Sequence, residues 1–584
     1  MIWNQIIPSV QQLTPLDSPL GLCLPNTLAL WSDVPDFLPT LKAGIYRANR
    51  INPKSQVQWV LADTADDGFI TLVNNPKLEQ HWYELEVTDH GIQIRASSIT
   101  GVSSGLATLV QAVLVSFGDL QGTGKPNQQE ARLEHVKILD YPAYPWRGFM
   151  LDVARHFFPI ESLEKELDML WLLRLNRFHL HLTDDQGWRF PVEGYPRLTE
   201  VGGWRSDQTS NQGLYGGYYQ SEELSTLDRS AQELGITLVP EIDLPGHASS
   251  VLAAYPEVGV DLENPQASVP GGAPQVETRW GIFPGVISPV SQESIQFVQA
   301  VLSQVAQTFQ GDWIHIGGDE VLTESWKPLH KEFGSDEQLY QQIIGHMANY
   351  VITLGKTPLV WDEASRLDLP PTTIIANWRE PEFAQAALER GYRIVLCPQG
   401  RRTYLDHKHT SSGLEAGRLN VCTVKDSSMF EPLRYVSESI DGSSSGNSSS
   451  QSTSARTSTS TSNSEPGKAS TPTVYKAKVL GGQGNLWTEG VSSHRQIEYM
   501  AYVRLAALSQ GLWTGVPAAD SWEQEFASRI DNWRTLFFSF GYSVYPGILE
   551  EIQVESEQSH EHTKPTKPNE AKEIDAPTPV GSKI

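Results

Sequence analysis

The most constraining feature of this sequence is the alternation of short apolar runs with amphipathic helical runs after about residue 140. Eight of the apolar runs have the length and composition of buried parallel strands: GFMLDV, FHLHL, ITLVPEI, WIHIGG, PLVWDE, TIIANW, RIVLCP and VLGGQGNLW. Helical runs such as ESLEKELDMLWLLRL lie between them. Eight strand–helix repeats predict a (β/α)8 TIM barrel. An open doubly wound sheet is the alternative, but no glycine-rich dinucleotide-binding turn follows the first strand.

The residues before this repeat predict a separate, smaller α+β domain. Residues 83–97 alternate apolar and polar side chains around Asp89-His90-Gly91, which predicts a hairpin, and residues 104–117 have the apolar spacing of a helix. The proline-rich run DYPAYPWRG marks the junction with the barrel. We therefore place an N-terminal accessory α+β domain at residues 1–140 and the barrel at residues 141–552.

Two segments are too polar to form a packed core. The segment at about 436–473 consists largely of Ser, Thr and Gly, and residues 553–584 are rich in Glu, Lys and Pro. This composition predicts disorder, because too little apolar surface is available to offset the loss of chain entropy. We expect a disordered insertion between the seventh and eighth strands and a disordered C-terminal tail.

Charge and composition exclude several classes of partner. The chain has 44 Lys and Arg against 69 Asp and Glu, a net charge of -25, which argues against nucleic acid or an anionic membrane. No run approaches eighteen uninterrupted apolar residues, so we expect no membrane span. The first residues lack the pattern of a signal peptide, and Cys23, Cys397 and Cys422 form no disulfide framework, which favours the cytoplasm.

Acidic or aromatic residues follow nearly every predicted strand. They are Asp152 and Arg155; Asp184, Asp185 and Trp188; Glu241, Asp243 and His247; Asp319 and Glu320; Trp361, Asp362 and Glu363; Trp378 and Arg379; Tyr404 and Asp406; and Trp487 and Glu489. Barrel enzymes build their sites at the carboxyl ends of the strands, so these side chains are expected to meet. Indole rings for pyranose faces and carboxylates for hydroxyl groups predict a sugar-binding cavity.

Asp319 and Glu320 are adjacent in the run WIHIGGDEV, after Gly317 and Gly318. Two carboxyl groups held close together push their pKa values apart, leaving one protonated and one ionised. This division suits the hydrolysis of a glycosidic bond, in which one group protonates the leaving oxygen and an anion faces developing positive charge. Two neighbours along the chain cannot flank one bond from opposite sides, so another group must act as the nucleophile.

The runs HIGGDEV, GFMLDVARHFFP, NRFHLHLTDDQGWRF, PEIDLPGHA, YLD and GNLWTE together resemble the family 20 glycoside hydrolases, the β-N-acetylhexosaminidases. The resemblance covers about residues 140–545 and implies substrate-assisted catalysis, in which the 2-acetamido oxygen of the substrate attacks and an oxazolinium ion forms. It implies that Glu320 is the general acid and base, and that Asp319 and Tyr404 hold the acetamido group. It also implies that neither a metal nor a cofactor takes part.

The same resemblance implies roles for further residues. Trp361, Trp378 and Trp487 would form the walls of the acetamido pocket, and Arg155, Asp406 and Glu489 would bind the sugar hydroxyls. Asp184 and His247 would support Glu320, with Asp185 equally well placed. Structural alternatives are an ion pair between Arg155 and Asp152, a loop role for His247, and core packing for Trp361 and Trp378.

The alternating His179 and His181 suggest a metal site on the second strand. We reject that interpretation, because barrel interiors commonly contain such residues and no third ligand is evident from the sequence.

The sequence therefore predicts a retaining exo-β-N-acetylhexosaminidase that removes terminal N-acetylglucosamine or N-acetylgalactosamine from glycans or chito-oligosaccharides. One alternative is a related enzyme that releases a disaccharide such as lacto-N-biose, which needs a roomier pocket. Another is a sugar-binding protein without catalytic activity. The sequence does not determine gluco or galacto preference, the natural leaving group or the oligomeric state.

Overall fold

The first 140 residues form a mixed seven-stranded sheet that packs against two helices. Its strands are β1 Gln12–Pro15, β2 Thr27–Ser32, β3 Gln58–Leu61, β4 Ile70–Asn74, β5 Tyr83–Thr88, β6 Gly91–Ala96 and β7 Val136–Asp140. Their spatial order is β1-β7-β5-β6-β4-β2-β3, and the helices are α1 Leu38–Ile51 and α2 Ile99–Phe117. The predicted hairpin is the antiparallel pair β5 and β6, in which Tyr83 lies opposite Ala96.

The computed structural model describes residues 1–547 apart from 18–19, 54, 56, 119–130, 208–212, 261–274, 401, 412–414, 439–474 and 517–525. Residues 1–546 form one compact unit, and the boundary placed at residue 140 falls between β7 and the first strand of the barrel. The predicted disorder of the tail and of most of the Ser/Thr-rich insertion lies outside the described residues. Residues 436–438, the first three of that insertion, end the helix Pro432–Glu438.

Helix α2 is long and apolar enough to cross a membrane. However, 83% of its most apolar window is buried inside the protein, where it packs on the seven-stranded sheet and on the first barrel helix. A buried core helix has the same composition as a membrane span, because both are surrounded by apolar groups. The burial therefore assigns α2 to the core of the accessory domain.

Eight parallel strands close into a barrel, as the alternation of apolar and helical runs predicted. They are β8 Trp146–Asp152, β9 Arg177–His181, β10 Thr237–Glu241, β11 Trp313–His315, β12 Thr357–Trp361, β13 Ile374–Asn377, β14 Arg393–Leu396 and β15 Val479–Leu486. The barrel closes where β8 pairs with β15, with Trp146 beside Gly481 and Leu151 beside Leu486.

Long helices follow most of the strands and cover the barrel. They are α3 Ile160–Leu172, α4 Ser221–Glu233, α5 Gln292–Thr308, α6 Asp336–Thr353, α7 Pro381–Glu389, α8 His494–Thr514 and α9 Ala527–Phe540. Helix α6 begins with a capping box, in which the Ser335 side chain accepts from the backbone N–H of Gln338 and the Gln338 side chain accepts from Ser335.

The fourth and fifth barrel strands are shorter than the apolar runs predicted. Strand β11 ends at His315, because Gly317 and Gly318 have positive φ angles of 69° and 98° that a strand does not adopt. Strand β12 ends at Trp361, and Asp362–Arg366 form a 3-10 helix. Both shortened ends release acidic residues from the sheet: Asp319 and Glu320 follow β11, and Asp362 and Glu363 follow β12.

Candidate active site

A cavity of about 280 Å³ opens at the carboxyl ends of the barrel strands. This volume lies near the lower end of the range for ligand pockets, roughly 300–1,000 Å³, which suits one small ligand unit. The cavity is lined by Arg155, Gln186, Gly281, Ile282, Asp319, Glu320, Trp361, Trp378, Gln399, Tyr404, Arg418, Trp487 and Glu489. All of the site residues assigned from the sequence therefore line it, except Asp184, His247 and Asp406.

The two glycines before Asp319 and Glu320 let the chain turn tightly beneath the cavity. A Cβ atom on Gly317 would lie 1.9 Å from the Oδ1 atom of Asp243, which no side chain tolerates. Glu320 itself has a φ of 50°, a left-handed conformation that is costly for a residue with a side chain. Such strain is concentrated at functional sites, and here it presents Glu320 to the cavity directly after the buried Asp319.

His247 links these two acids to a second pair of carboxylates. Its Nε2 atom lies 3.6 Å from Glu320 Oε2 and 3.9 Å from Asp319 Oδ2. On the other side of the ring, Nδ1 lies 3.1 Å from Asp185 Oδ2 and 3.4 Å from Asp184 Oδ1. Both candidates for the supporting acid thus contact His247, and Asp185 is the closer one.

The pKa values of Asp319 and Glu320 move in opposite directions. Burial and the Asp243 carboxylate raise the pKa of Asp319 well above its usual value. Burial also raises the pKa of Glu320, but His247, 3.6 Å away, and the charge of Arg155 outweigh it, so the net pKa is lowered. Asp319 therefore favours its protonated form more than an ordinary aspartate does, and Glu320 favours its ionised form more than an ordinary glutamate does.

Arg155 is held in place by a set of acceptors on neighbouring strand ends. Its Nη2 atom lies 2.8 Å from Asp184 Oδ2, and its Nη1 atom lies 3.5 Å from Asp152 Oδ2. Its Nε donates to the Gln186 side chain at 3.2 Å, and its guanidinium lies over the Trp487 ring, 5.0 Å from the centroid. The ion pair with Asp152 thus exists, but it leaves Arg155 lining the cavity.

Aromatic side chains form one wall of the cavity. Trp361, Tyr404 and Trp487 are buried and pack together in one cluster, and the half-buried Trp378 packs against it. The Trp361 and Trp487 rings lie 6.1 Å apart at 42°, and the Trp378 indole N–H donates to Glu363 at 3.0 Å. Their position combines core packing with contact to the cavity, so the two interpretations are not exclusive.

Arg418 was missed by the sequence analysis, and it lines the cavity beside Tyr404, with its guanidinium 5.8 Å from the centroid of that ring. Its Nε donates to Asp406 Oδ2 at 2.5 Å, and its Nη2 lies 3.7 Å from Glu489 Oε1. Asp406 is buried behind it, and burial together with Glu489 raises its pKa to about 6 despite the Arg418 charge. Arg418 begins the short strand Arg418–Val421, which is far along the chain from the end of any predicted barrel strand. A search for polar residues directly after the barrel strands therefore could not find it.

The interior of the barrel holds a group that we call the histidine cluster: His179, His181, Glu241 and His315. Glu241 Oε2 lies 3.0 Å from His179 and 2.6 Å from His181, and Oε1 lies 3.0 Å from His315. The Trp361 indole N–H also donates to Oε1, at 2.7 Å. The sequence argument against a metal site, that His179 and His181 have no third ligand, was thus wrong, because Glu241 and His315 lie next to His179. These direct contacts already use both oxygens of Glu241, which is the behaviour of a structural network.

A closed parallel barrel that gathers carboxylates and indoles around one cavity has the fold and the site of a TIM-barrel glycoside hydrolase. Residues 144–516 match the sequence model of glycosyl hydrolase family 20, catalytic domain. The chain therefore belongs to glycosyl hydrolase family 20.

Known proteins resemble this chain over most of its length. The beta-hexosaminidase of Vibrio furnissii is 31% identical over 470 residues, which cover 77% of this chain and 68% of that protein. The beta-hexosaminidase of Porphyromonas gingivalis is 29% identical over 535 residues, which cover 90% of this chain but only 62% of that protein. A crystal structure of the family 20 exo-β-N-acetylglucosaminidase from Vibrio harveyi with N-acetylglucosamine has a TM-score of 0.75 at 25% identity, covering 93% of this chain and 78% of that chain.

Proposed function

We propose that the protein is a retaining exo-β-N-acetylhexosaminidase that hydrolyses terminal N-acetylglucosamine or N-acetylgalactosamine by substrate-assisted catalysis. The observation that carries this proposal is the pair of consecutive carboxyl groups, Asp319 and Glu320, at one side of a cavity with an aromatic wall. The Oδ1 atom of Asp319 is buried without a hydrogen-bond partner among the described residues. A buried acceptor of this kind supports binding of a polar donor such as an amide N–H.

In this mechanism the substrate supplies the nucleophile. Asp319 accepts a hydrogen bond from the acetamido N–H and stabilises the positive charge of the oxazolinium ion, while Tyr404 holds the acetamido carbonyl oxygen. Glu320 donates its proton to the glycosidic oxygen and afterwards removes a proton from the attacking water. Trp361, Trp378 and Trp487 enclose the acetamido group and the sugar face.

These roles require Asp319 to be ionised and Glu320 to be protonated when the substrate is bound. A hydrogen bond from the acetamido N–H to Asp319 favours its ionised form and lowers its pKa. The bound sugar also excludes water from Glu320, which favours the protonated form and raises its pKa. Substrate binding thus shifts the pKa of Asp319 and the pKa of Glu320 in the directions that the two roles require, so that Glu320 acts as an acid when a bond is in place to be cleaved.

Arg155 and Glu489 line the same cavity and would bind the hydroxyl groups of the terminal sugar, with Asp406 acting beside Arg418. Glycans or chito-oligosaccharides that end in N-acetylhexosamine are therefore the proposed substrates. The small cavity volume favours one sugar over a disaccharide such as lacto-N-biose. A binding protein without activity would have no need for the strained backbone at Glu320.

The test compares aryl β-N-acetylglucosaminide with aryl β-glucoside, which lacks the acetamido group. We expect hydrolysis of the first with retained anomeric configuration, followed by NMR, and no measurable hydrolysis of the second. An enzyme that needs no acetamido nucleophile would cleave both at comparable rates, and this outcome would refute the mechanism.

A further inference from the structure

A second cavity lies directly beside the candidate active site. Its volume is about 170 Å³, and Trp378 and Gln399 line both cavities. The Trp378 ring therefore stands between the two spaces. It is only half-buried, although it packs against the cluster that contains Trp361, Tyr404 and Trp487. A ring with open space on two sides is held less firmly by packing than a ring in a close-packed core.

A hydrogen bond holds the Trp378 ring by its edge. The indole N–H donates to the Oε2 atom of Glu363 at 3.0 Å. Glu363 lies in the 3-10 helix that follows β12, whereas Trp378 directly follows β13, the neighbouring strand in the barrel. The position of the ring therefore depends on where the Glu363 side chain is held.

Glu363 is held in turn by the acid beside it. Its carboxyl group forms a hydrogen bond with that of Asp362, which is completely buried and accepts from the Arg379 Nε at 2.8 Å. Burial and the charges of Asp319 and Asp362 raise the pKa of Glu363 to about 9, so Glu363 is protonated at neutral pH. A protonated carboxyl group can donate to Asp362 and accept from Trp378 at the same time.

We propose that Glu363 is a positioning residue that holds Trp378 as the wall between the acetamido pocket and the second cavity, and thereby limits the size of the N-acyl group. This inference rests on the proposed function, in which Trp378 encloses the acetamido group. Without the bond to Glu363 the ring is free to turn into the second cavity, and the pocket becomes too wide for an acetamido group. Since the acetamido oxygen is the nucleophile, a pocket that orients it poorly slows the reaction.

The experiment compares an aryl β-N-acetylglucosaminide with its N-butanoyl analogue, which has a longer acyl chain. Glu363→Ala should lower kcat/KM about five- to tenfold for the N-acetyl substrate and less than twofold for the N-butanoyl substrate, because only the longer chain fills the widened pocket. Glu363→Gln should keep most of the activity and the preference for the N-acetyl substrate, because a neutral amide also accepts from Trp378 and donates to Asp362. Glu389→Ala, at the exposed end of α7, is the control and should keep both rates.

A double-mutant cycle tests whether Glu363 acts through the ring. Trp378→Phe removes the same hydrogen bond from the other side, so it should also lower the preference for the N-acetyl substrate, even if Glu363→Ala does not fold. Adding Glu363→Ala to Trp378→Phe should then change this preference less than about twofold.

Three results would overturn the inference. They are an equal loss on both substrates in Glu363→Ala, a Glu363→Gln variant as impaired as Glu363→Ala, and an effect of Glu363→Ala on the preference that persists in full in the Trp378→Phe background. None of these results affects the proposed function. Equal hydrolysis of the aryl β-N-acetylglucosaminide and an aryl β-glucoside by the wild-type protein would instead contradict the proposed function, and the inference with it.

Discussion

The histidine cluster and the acids of the cavity are both groups of buried or half-buried ionisable side chains, but they differ in how their carboxylate oxygens are satisfied. Each oxygen of Glu241 in the histidine cluster has two close nitrogen partners. In the cavity, Asp319 Oδ1 and Glu489 Oε2 are buried without partners among the residues that the structure describes. Carboxylate oxygens that are fully hydrogen-bonded stabilise one conformation. Unpaired polar atoms in a cavity raise the free energy of the unliganded protein, and a ligand that pairs with them removes this cost.

Glu320→Gln should show most clearly that the acids of the cavity serve activity and not stability. The substitution removes the transferable proton and keeps the shape of the side chain. We expect kcat to fall about 10²- to 10⁴-fold. The free energy of unfolding should stay the same or rise, because a partly desolvated charge disappears. Glu324→Gln, on the exposed turn four residues later, is the control and should retain full activity. Wild-type turnover in Glu320→Gln would remove Glu320 from the mechanism.

Glu241→Gln, in contrast, should lower the free energy of unfolding. A neutral amide cannot accept from all the groups around Glu241, and it leaves the protonated His181 without its closest anion. Breaking a buried pair of this kind costs about 3–5 kcal/mol of unfolding free energy, measured by urea denaturation. Glu337→Gln, at an exposed ion pair with Arg366, should cost far less. A fully stable Glu241→Gln would show that the cluster is not structural.

His247→Asn tests the connection between the acids of the cavity and those behind it. His247 lowers the pKa of Glu320, and below that pKa both acids of the pair are protonated and Asp319 cannot act as an anion. Without His247 the pKa of Glu320 should rise, so the acid limb of the kcat/KM profile should move to higher pH. His90→Asn, on the exposed hairpin turn, should leave the profile unchanged. An acid limb that stays in place would show that His247 does not control Glu320.

The smallest effect is expected at Arg418. Arg418→Gln removes the half-exposed cation that holds Asp406 and Glu489, so KM should rise about two- to fivefold while kcat is nearly unchanged. Arg366→Gln, which breaks a comparable exposed pair with Glu337, is the control and should change neither constant. A large fall in kcat in Arg418→Gln would place Arg418 among the groups that act in the transition state.

The positions of the strand ends were predictable to within a few residues, because each barrel strand is a short apolar run followed by polar residues. This is why Asp319, Glu320, Trp361, Trp487 and Glu489 could be assigned to one rim from the order of residues along the chain. Arg418 could not be found in this way, since it lies in a connection that comes near the cavity only after the chain folds. The partners of His179 were missed for the same reason, because Glu241 and His315 lie on different strands.

The sequence by itself determined the barrel and the set of residues around its mouth, because the periodicity of apolar side chains fixes which segments are buried and where each one ends. The tertiary structure decided which of these residues touch one another, and therefore why the pKa of Asp319 is raised while the pKa of Glu320 is lowered. These opposite shifts depend on the burial of Asp319 and on the position of His247, and both arise from distances between strands that no local pattern encodes.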